Sequence, residues 1–315
     1  MTTELEPTSI SVASSADPVL TQRVLDSFDD AVSPRGREVL RSLVTHLHAF
    51  ASDIAITEDE WAYAIEFVTR LGQISDDKRQ ETILLSDVLG LSMLTIGINH
   101  PLAPPATEST VFGPFFVEDS PAFVNGDDIS GGAGGQPCFY SGTVTGVDGR
   151  PVPDALLEIW HSDEDGNYDV QYAGIDSAQG RGHLRTDALG RYWFSSVLPE
   201  PYPIPQDGPV GDLLAASRRS PMRPAHVHFM IAAPGFATLV THVFRAGDPH
   251  LGRDAVFGEK ASLVRTFDAH DSQTAPDGRH LERFFTMSYD FVLQPAAESS
   301  DPDRRDPQTG PHDDV

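Results

Sequence analysis

Before residue 100 the apolar positions recur at helical spacing. Between Arg37 and Ile54, Leu40, Leu43, Val44, Leu47 and Phe50 fall on one stripe, as in an amphipathic helix. Thr57-Glu58-Asp59-Glu60 opens a second helix as a capping box, in which hydroxyl and carboxylate satisfy each other's free backbone amides. Trp61, Ile65, Val68 and Leu71 continue that helix along one face. A third is expected from near Ser75, burying Ile83, Leu84, Val88, Leu91 and Leu94. The run His100-Pro101-Leu102-Ala103-Pro104-Pro105 then stops the pattern, because proline lacks the amide hydrogen that a helix uses.

From about residue 106 the pattern becomes short β-type runs divided by Gly, Pro and Asp. CFYSGTVTGVDGRPV reads as strand, turn at Asp148-Gly149 and strand. ALLEIWHSD, RYWFSSVL, AHVHFMIAA and LVTHVFRA follow at intervals suited to a sandwich, and FTMSYDFVL is the last strand. The expected class is α+β: an N-terminal helical domain over residues 21–105, then a mainly antiparallel β-sandwich catalytic domain over 106–295. Residues 1–20 and 296–315 read as irregular, the second stretch being rich in Asp, Pro, Arg and Ser.

Composition narrows the partners. The chain has 315 residues, 39% of them apolar, and no apolar run near the roughly 20 residues that cross a bilayer. A net charge of −25 without a Lys/Arg cluster argues against nucleic acid and anionic membrane surfaces. The acidic first twenty residues do not resemble a secretory signal, and the single cysteine, Cys138, suits a reducing compartment; both point to the cytoplasm.

The sharpest chemical feature is Arg223-Pro224-Ala225-His226-Val227-His228. Side chains two apart on a strand share a face, so His226 and His228 converge. Imidazole is a common metal ligand, but two hydrogen-bonded core histidines fit the pattern equally. His161, Asp163, His183 and Asp187 offer further donors without distinctive spacing. Tyr168 follows the tight turn Asp165-Gly166-Asn167, and Tyr202 sits among prolines that hold the backbone extended. Taken singly, each tyrosine reads as a packing aromatic.

LLEIWHSDEDGNY, GRYWFSSVLPEPYPIPQDGPVGDLL and RPAHVHFMIAAPGF, in this order, resemble the intradiol ring-cleavage dioxygenases, over residues 20 to 295. The resemblance implies one non-haem Fe(III) per chain, held by Tyr168, Tyr202, His226 and His228. Hard Fe(III) favours anionic oxygen donors, which explains the phenols. It also implies that Tyr202 leaves the metal and takes a substrate proton, that Arg223 stabilises charge developing on the ring, and that O2 is the co-substrate. A homodimer through the helices of residues 20–100 is implied, and a phospholipid held between them.

Several branches share this core. VFGPFF, contributing Val111, Phe112, Gly113, Pro114 and Phe115, resembles the branch that cleaves hydroxyquinol (1,2,4-trihydroxybenzene). So do Leu84 and Asp87 in LLSDVLGLSML, Ile204 and Pro205 after Tyr202, and His242 where catechol enzymes usually carry Gln. With Arg223 these residues are expected to line the substrate pocket, Asp87 accepting the third hydroxyl. A catechol or chlorocatechol 1,2-dioxygenase is the alternative within the family, and a β-sandwich binding module with a vestigial metal site the alternative outside it.

Overall fold

The structure, a computed structural model, describes residues 16–30, 33–76, 79–101, 103–175 and 177–296. The expected irregular ends lie outside this set except for residues 16–20 and 296, and a helix already begins at Pro18. Two compact units are present, one ending at Arg70 and the other starting at Leu71.

The first unit holds α1 (Pro18–Asp26), α2 (Pro34–Asp53) and most of α3 (Glu58–Ile74). Local chemistry sets each start. The Asp17 carboxylate accepts the Leu20 amide at 2.9 Å, and the Ser33 hydroxyl accepts the Gly36 amide at 3.0 Å. A proline follows each cap, where its missing N–H would be unpaired anyway. The expected capping box is formed: Thr57 N–H donates to Glu60 Oε2 at 2.9 Å, and Glu60 N–H donates to Thr57 Oγ1 at 3.2 Å. The apolar stripes face outward, with Leu43, Leu47, Phe50, Trp61, Ile65 and Val68 all more than half exposed.

In the second unit the expected third helix is two, α4 (Glu81–Val88) and α5 (Leu91–Asn99), meeting at a 78° bend. Gly90 makes the break, at φ +74°, where a side chain would strain the backbone. Val88 is buried as expected, but the bend leaves Ile83, Leu91 and Leu94 exposed and buries Glu81, Asp87 and Met93 instead.

The strands are β1 (Pro137–Gly146), β2 (Leu156–His161), β3 (Arg181–Arg185), β4 (Arg191–Val197), β5 (Tyr202–Pro203), β6 (Met222–Arg223), β7 (His226–Ala232) and β8 (Leu239–Arg245). After them come β9 (Val264–Arg265), β10 (Asp268–Thr274), β11 (His280–Ser288) and β12 (Phe291–Leu293). A helix, α6 (Pro209–Ala216), lies between β5 and β6. One sheet runs β10-β11-β1-β12 with β4 also on β1; the other runs β3-β2-β7-β8-β9; β5 and β6 form a short ribbon. Pairing is mainly antiparallel, although β11 and β12 are parallel to β1, and β9 to β8.

The sandwich core is a single apolar cluster drawn from both sheets. Tyr140, Phe194, Met287 and Phe291 of one meet Leu157, Ile159, Val227, Phe229 and Val243 of the other. Phe229 and Phe291 approach to 4.8 Å between ring centroids. The expected α+β order, helices first and a sandwich after, is the one observed. The single last strand expected from FTMSYDFVL is split at Tyr289-Asp290, where Asp290 Oδ1 accepts the Thr143 amide at 2.9 Å. Among the described residues no single helix is long and apolar enough to cross a membrane.

Candidate metal centre

Strand β7 lies between β2 and β8 and sets the site. His226 and His228 are each 1% exposed and share one face, their Nε2 atoms 3.1 Å apart. In register across the sheet, His228 has Trp160 on one side and His242 on the other. The Trp160 ring stacks on His228 with centroids 4.6 Å apart.

The tyrosines reach the same point from outside the strand. Asp163 Oδ1 accepts the amides of Asp165 and Asn167, both at 3.0 Å, and so shapes the turn that delivers Tyr168. The neighbouring Asp169 is gripped by buried Arg181, whose Nη1 also donates to the Phe115 carbonyl at 2.9 Å. Tyr202 on β5 is the register partner of Arg223 on β6, and Arg223 Nη1 donates to its hydroxyl at 3.2 Å. Tyr168 Oη lies 3.1 Å from His228 Nε2 and 3.4 Å from Tyr202 Oη.

Four donor atoms, two imidazole nitrogens and two phenol oxygens, therefore sit edge to edge at 3.1–3.4 Å. Donors roughly 2.0–2.2 Å from one ion have about these separations, so the set fits a single metal. The hydrogen bonding agrees. His226 Nδ1 lies 2.6 Å from the Pro224 carbonyl, which only accepts, so the hydrogen is on Nδ1 and Nε2 carries a bare lone pair. Burial holds His226 and His228 well below the usual imidazole range, hence neutral and able to ligate. Burial, and then the neighbouring Tyr202, push the Tyr168 phenol well up, so a phenolate there needs a cation beside it.

His226, His228 and His242 also form a cluster, with ligand atoms within 4.8 Å of one another. His242, however, meets His228 from behind: its Nε2 is 2.8 Å from Nδ1 of His228, the nitrogen pointing away from Tyr168. His161 is spoken for as well, with Nδ1 2.8 Å from the Ser162 carbonyl and Nε2 2.8 Å from Ser196 Oγ. His183 lies 3.1 Å from Ser120 Oγ, Asp163 serves the turn, and Asp187 pairs with Arg191.

A cavity of about 670 Å³ is lined by Leu84, Pro114, Phe115 and Pro205, with Arg79, Glu81 and Phe116 among its other walls. Phe115 links it to the donors, stacking on Tyr168 with centroids 4.4 Å apart. Gly113 passes so close that a Cβ there would lie 2.9 Å from His228 Cε1, at a φ of +80°. Phe112 packs on Trp160, while Val111 and Ile204 are buried. Burial raises Asp87, with Ser92 and the charge of Arg223 opposing the shift.

Sequence reading missed several supports. Asp254, 2% exposed, takes Arg223 in a two-pronged ion pair at 3.1 and 3.5 Å, and the Gly258 amide at 2.9 Å. Glu81 caps α6 by accepting the Val210 amide at 3.1 Å, while Arg79 ties it to Asp207. Thr110 lies 2.9 Å from His242. None was read from the sequence, since the decisive partners (Arg223 for Asp254, Val210 for Glu81, Asp207 for Arg79 and His242 for Thr110) are far away in sequence.

Two imidazoles and two phenols beside an aromatic-walled cavity are the donor set that the resemblance implies for a metal-dependent dioxygenase. Family models described as "Catechol dioxygenase N terminus" and "Dioxygenase" match residues 33–107 and 111–295. The chain belongs to the intradiol ring-cleavage dioxygenases and is an enzyme of that type. It is 55% identical over 280 residues to the hydroxyquinol 1,2-dioxygenase of Rhodococcus opacus, covering 88% of this chain and 93% of that one. To the 6-chlorohydroxyquinol 1,2-dioxygenase of Cupriavidus pinatubonensis it is 50% identical, covering 88% and 96%. The crystal structure of hydroxyquinol 1,2-dioxygenase from Pseudomonas putida DLL-E4 is similar at a TM-score of 0.83 and 41% identity, over 88% of this chain and 98% of that chain.

Proposed function

We propose that this chain opens hydroxyquinol with O2 between its two adjacent hydroxylated carbons, using one ferric ion held by Tyr168, Tyr202, His226 and His228. The observation that carries the reading is the convergence of those four donors at 3.1–3.4 Å. Both oxygen atoms enter the product, 3-hydroxy-cis,cis-muconate, a tautomer of maleylacetate. A bound ferric ion supplies a strong Lewis acid that lowers the pKa of the substrate hydroxyls and makes the ring reactive toward O2.

The protein's own groups do the rest. Tyr202 accepts a substrate proton, and the Arg223 donor at 3.2 Å stabilises charge on the oxygens around it. Asp254 holds Arg223 in place, and Leu84, Phe115 and Pro205 exclude water from the ring faces. Asp87 accepts the hydroxyl that distinguishes hydroxyquinol from catechol. The outward-facing apolar stripes of α2 and α3 support a homodimer, and the same apolar surface suits a phospholipid chain.

The test is elemental analysis with a substrate panel under air. Iron near one per chain, a visible tyrosinate-to-iron band and a strong preference for hydroxyquinol are expected. Zinc without colour or turnover would favour the binding-module alternative. Equal kcat/KM for catechol would favour the simple catechol branch.

A further inference from the structure

His242 is fully buried, and neither of its ring nitrogens is free to meet a substrate. Its Nε2 lies 2.8 Å from His228 Nδ1, and its Nδ1 lies 2.9 Å from Thr110 Oγ1. Thr110 is itself buried and fixed by its amide, which donates to the Val240 carbonyl at 2.9 Å, two residues before His242 on β8. The three groups form an unbranched chain that ends on the back of one of the four converging donors.

The direction of the hydrogens follows from that end. If His228 offers its Nε2 lone pair to a metal as a neutral imidazole, its hydrogen is on Nδ1. That hydrogen donates to His242 Nε2, which must then be bare, so His242 carries its own hydrogen on Nδ1 and donates it to Thr110 Oγ1. Each link has one donor and one acceptor only in this arrangement. The opposite tautomer of His242 would set two N–H groups against each other at 2.8 Å.

We propose that His242, oriented by Thr110, is a positioning residue that fixes the tautomer and ring plane of His228, so that Nε2 faces the metal. This rests on the metal reading given above. It assigns His242 to the support of a ligand rather than to the substrate pocket where the resemblance put it. Outer partners of ligating imidazoles are worth about 10- to 100-fold in metal affinity.

The test compares His242→Gln, His242→Leu and Thr110→Val in the full chain loaded with Fe(III). Glutamine can offer a carboxamide oxygen to His228 Nδ1, whereas leucine fills similar space with no acceptor. Iron retained against EDTA, the position of the visible band and Tm are read for each. Expected are a 10- to 100-fold weaker hold on iron and a displaced band in His242→Leu, rescue to within a few-fold of native in His242→Gln, and an intermediate loss in Thr110→Val. Leu and Gln variants that hold iron alike, with native bands, would overturn the proposal. If the Leu variant does not fold, Thr110→Val against native decides, and unchanged iron retention there overturns it. Native protein that takes up no iron fails the metal reading itself, and the proposal with it.

Discussion

The β5–β6 register sets Tyr202 opposite Arg223, and on the proposed reading the two share the charge that appears when a substrate proton leaves. Tyr202→Phe keeps three donors, and is expected to retain much of its iron while losing about 100-fold or more in kcat. His226→Ala and His228→Ala should lose the metal and the activity together. Metal content and steady-state rates measured on the same samples separate the two outcomes, and near-native turnover in Tyr202→Phe would contradict its role as proton acceptor. On the proposed reading, Asp87 governs selectivity. A buried, charged acceptor left without its hydroxyl costs roughly 1.5–3 kcal/mol, or about tenfold to a hundredfold in kcat/KM. Asp87→Ala is thus expected to narrow the ratio of hydroxyquinol to catechol more than it lowers overall activity. An unchanged ratio would remove Asp87 from the explanation.

Among the elements, the start of α3 was legible because capping is local, whereas α1, which opens at Pro18, was missed. The box at Thr57 and Glu60 joins residues three apart, and its energetics should be equally local. Thr57→Ala removes the hydroxyl that accepts the Glu60 amide and is expected to cost about 1 kcal/mol, read from urea denaturation followed by circular dichroism. Loss below the error of that measurement would mean that the helix is held by packing alone. The bend at Gly90 was missed because Ile83, Leu84, Val88, Leu91 and Leu94 keep apolar character across it, and apolar spacing does not report a left-handed residue. β10 was missed for the opposite reason: Asp268–Thr274 is polar and mostly exposed, an edge strand without an alternating apolar face.

At the scale of the whole molecule, pH should act on stability through buried imidazole. Burial holds His161 down to about 4, while in the unfolded chain it titrates near 6.5. Between those values the unfolded state binds the proton and the native state does not. The contribution is therefore complete above pH 6.5 and is lost as pH falls toward 4, about 3 kcal/mol in all. Denaturation midpoints of native protein and His161→Gln across pH 7 to 4.5 should show a shallower loss in the variant; parallel curves would rule His161 out. Association is the other property at this scale. Light scattering at micromolar concentration should give twice the 34.2 kDa chain mass, and Leu47→Asp with Trp61→Asp should return it to one chain. A native monomer would refute a dimer built on α2 and α3.

By itself the sequence determined what depends on neighbours along the chain. The order of helices before strands, the capping box at Thr57, and the shared face of His226 and His228 follow from backbone periodicity and short-range hydrogen bonding. With the family resemblance it also pointed to Tyr168 and Tyr202 as candidate donors, although neither tyrosine carries a local mark of its own. Tertiary structure alone decided what depends on register and on partners distant in sequence. It brought Trp160 and His242 to either side of His228, set Asp254 against Arg223, and let Glu81 cap a helix more than a hundred residues away. It also made His242 a support for His228, since a strand pattern gives the face on which a side chain lies but not which cross-strand neighbour its nitrogens will meet.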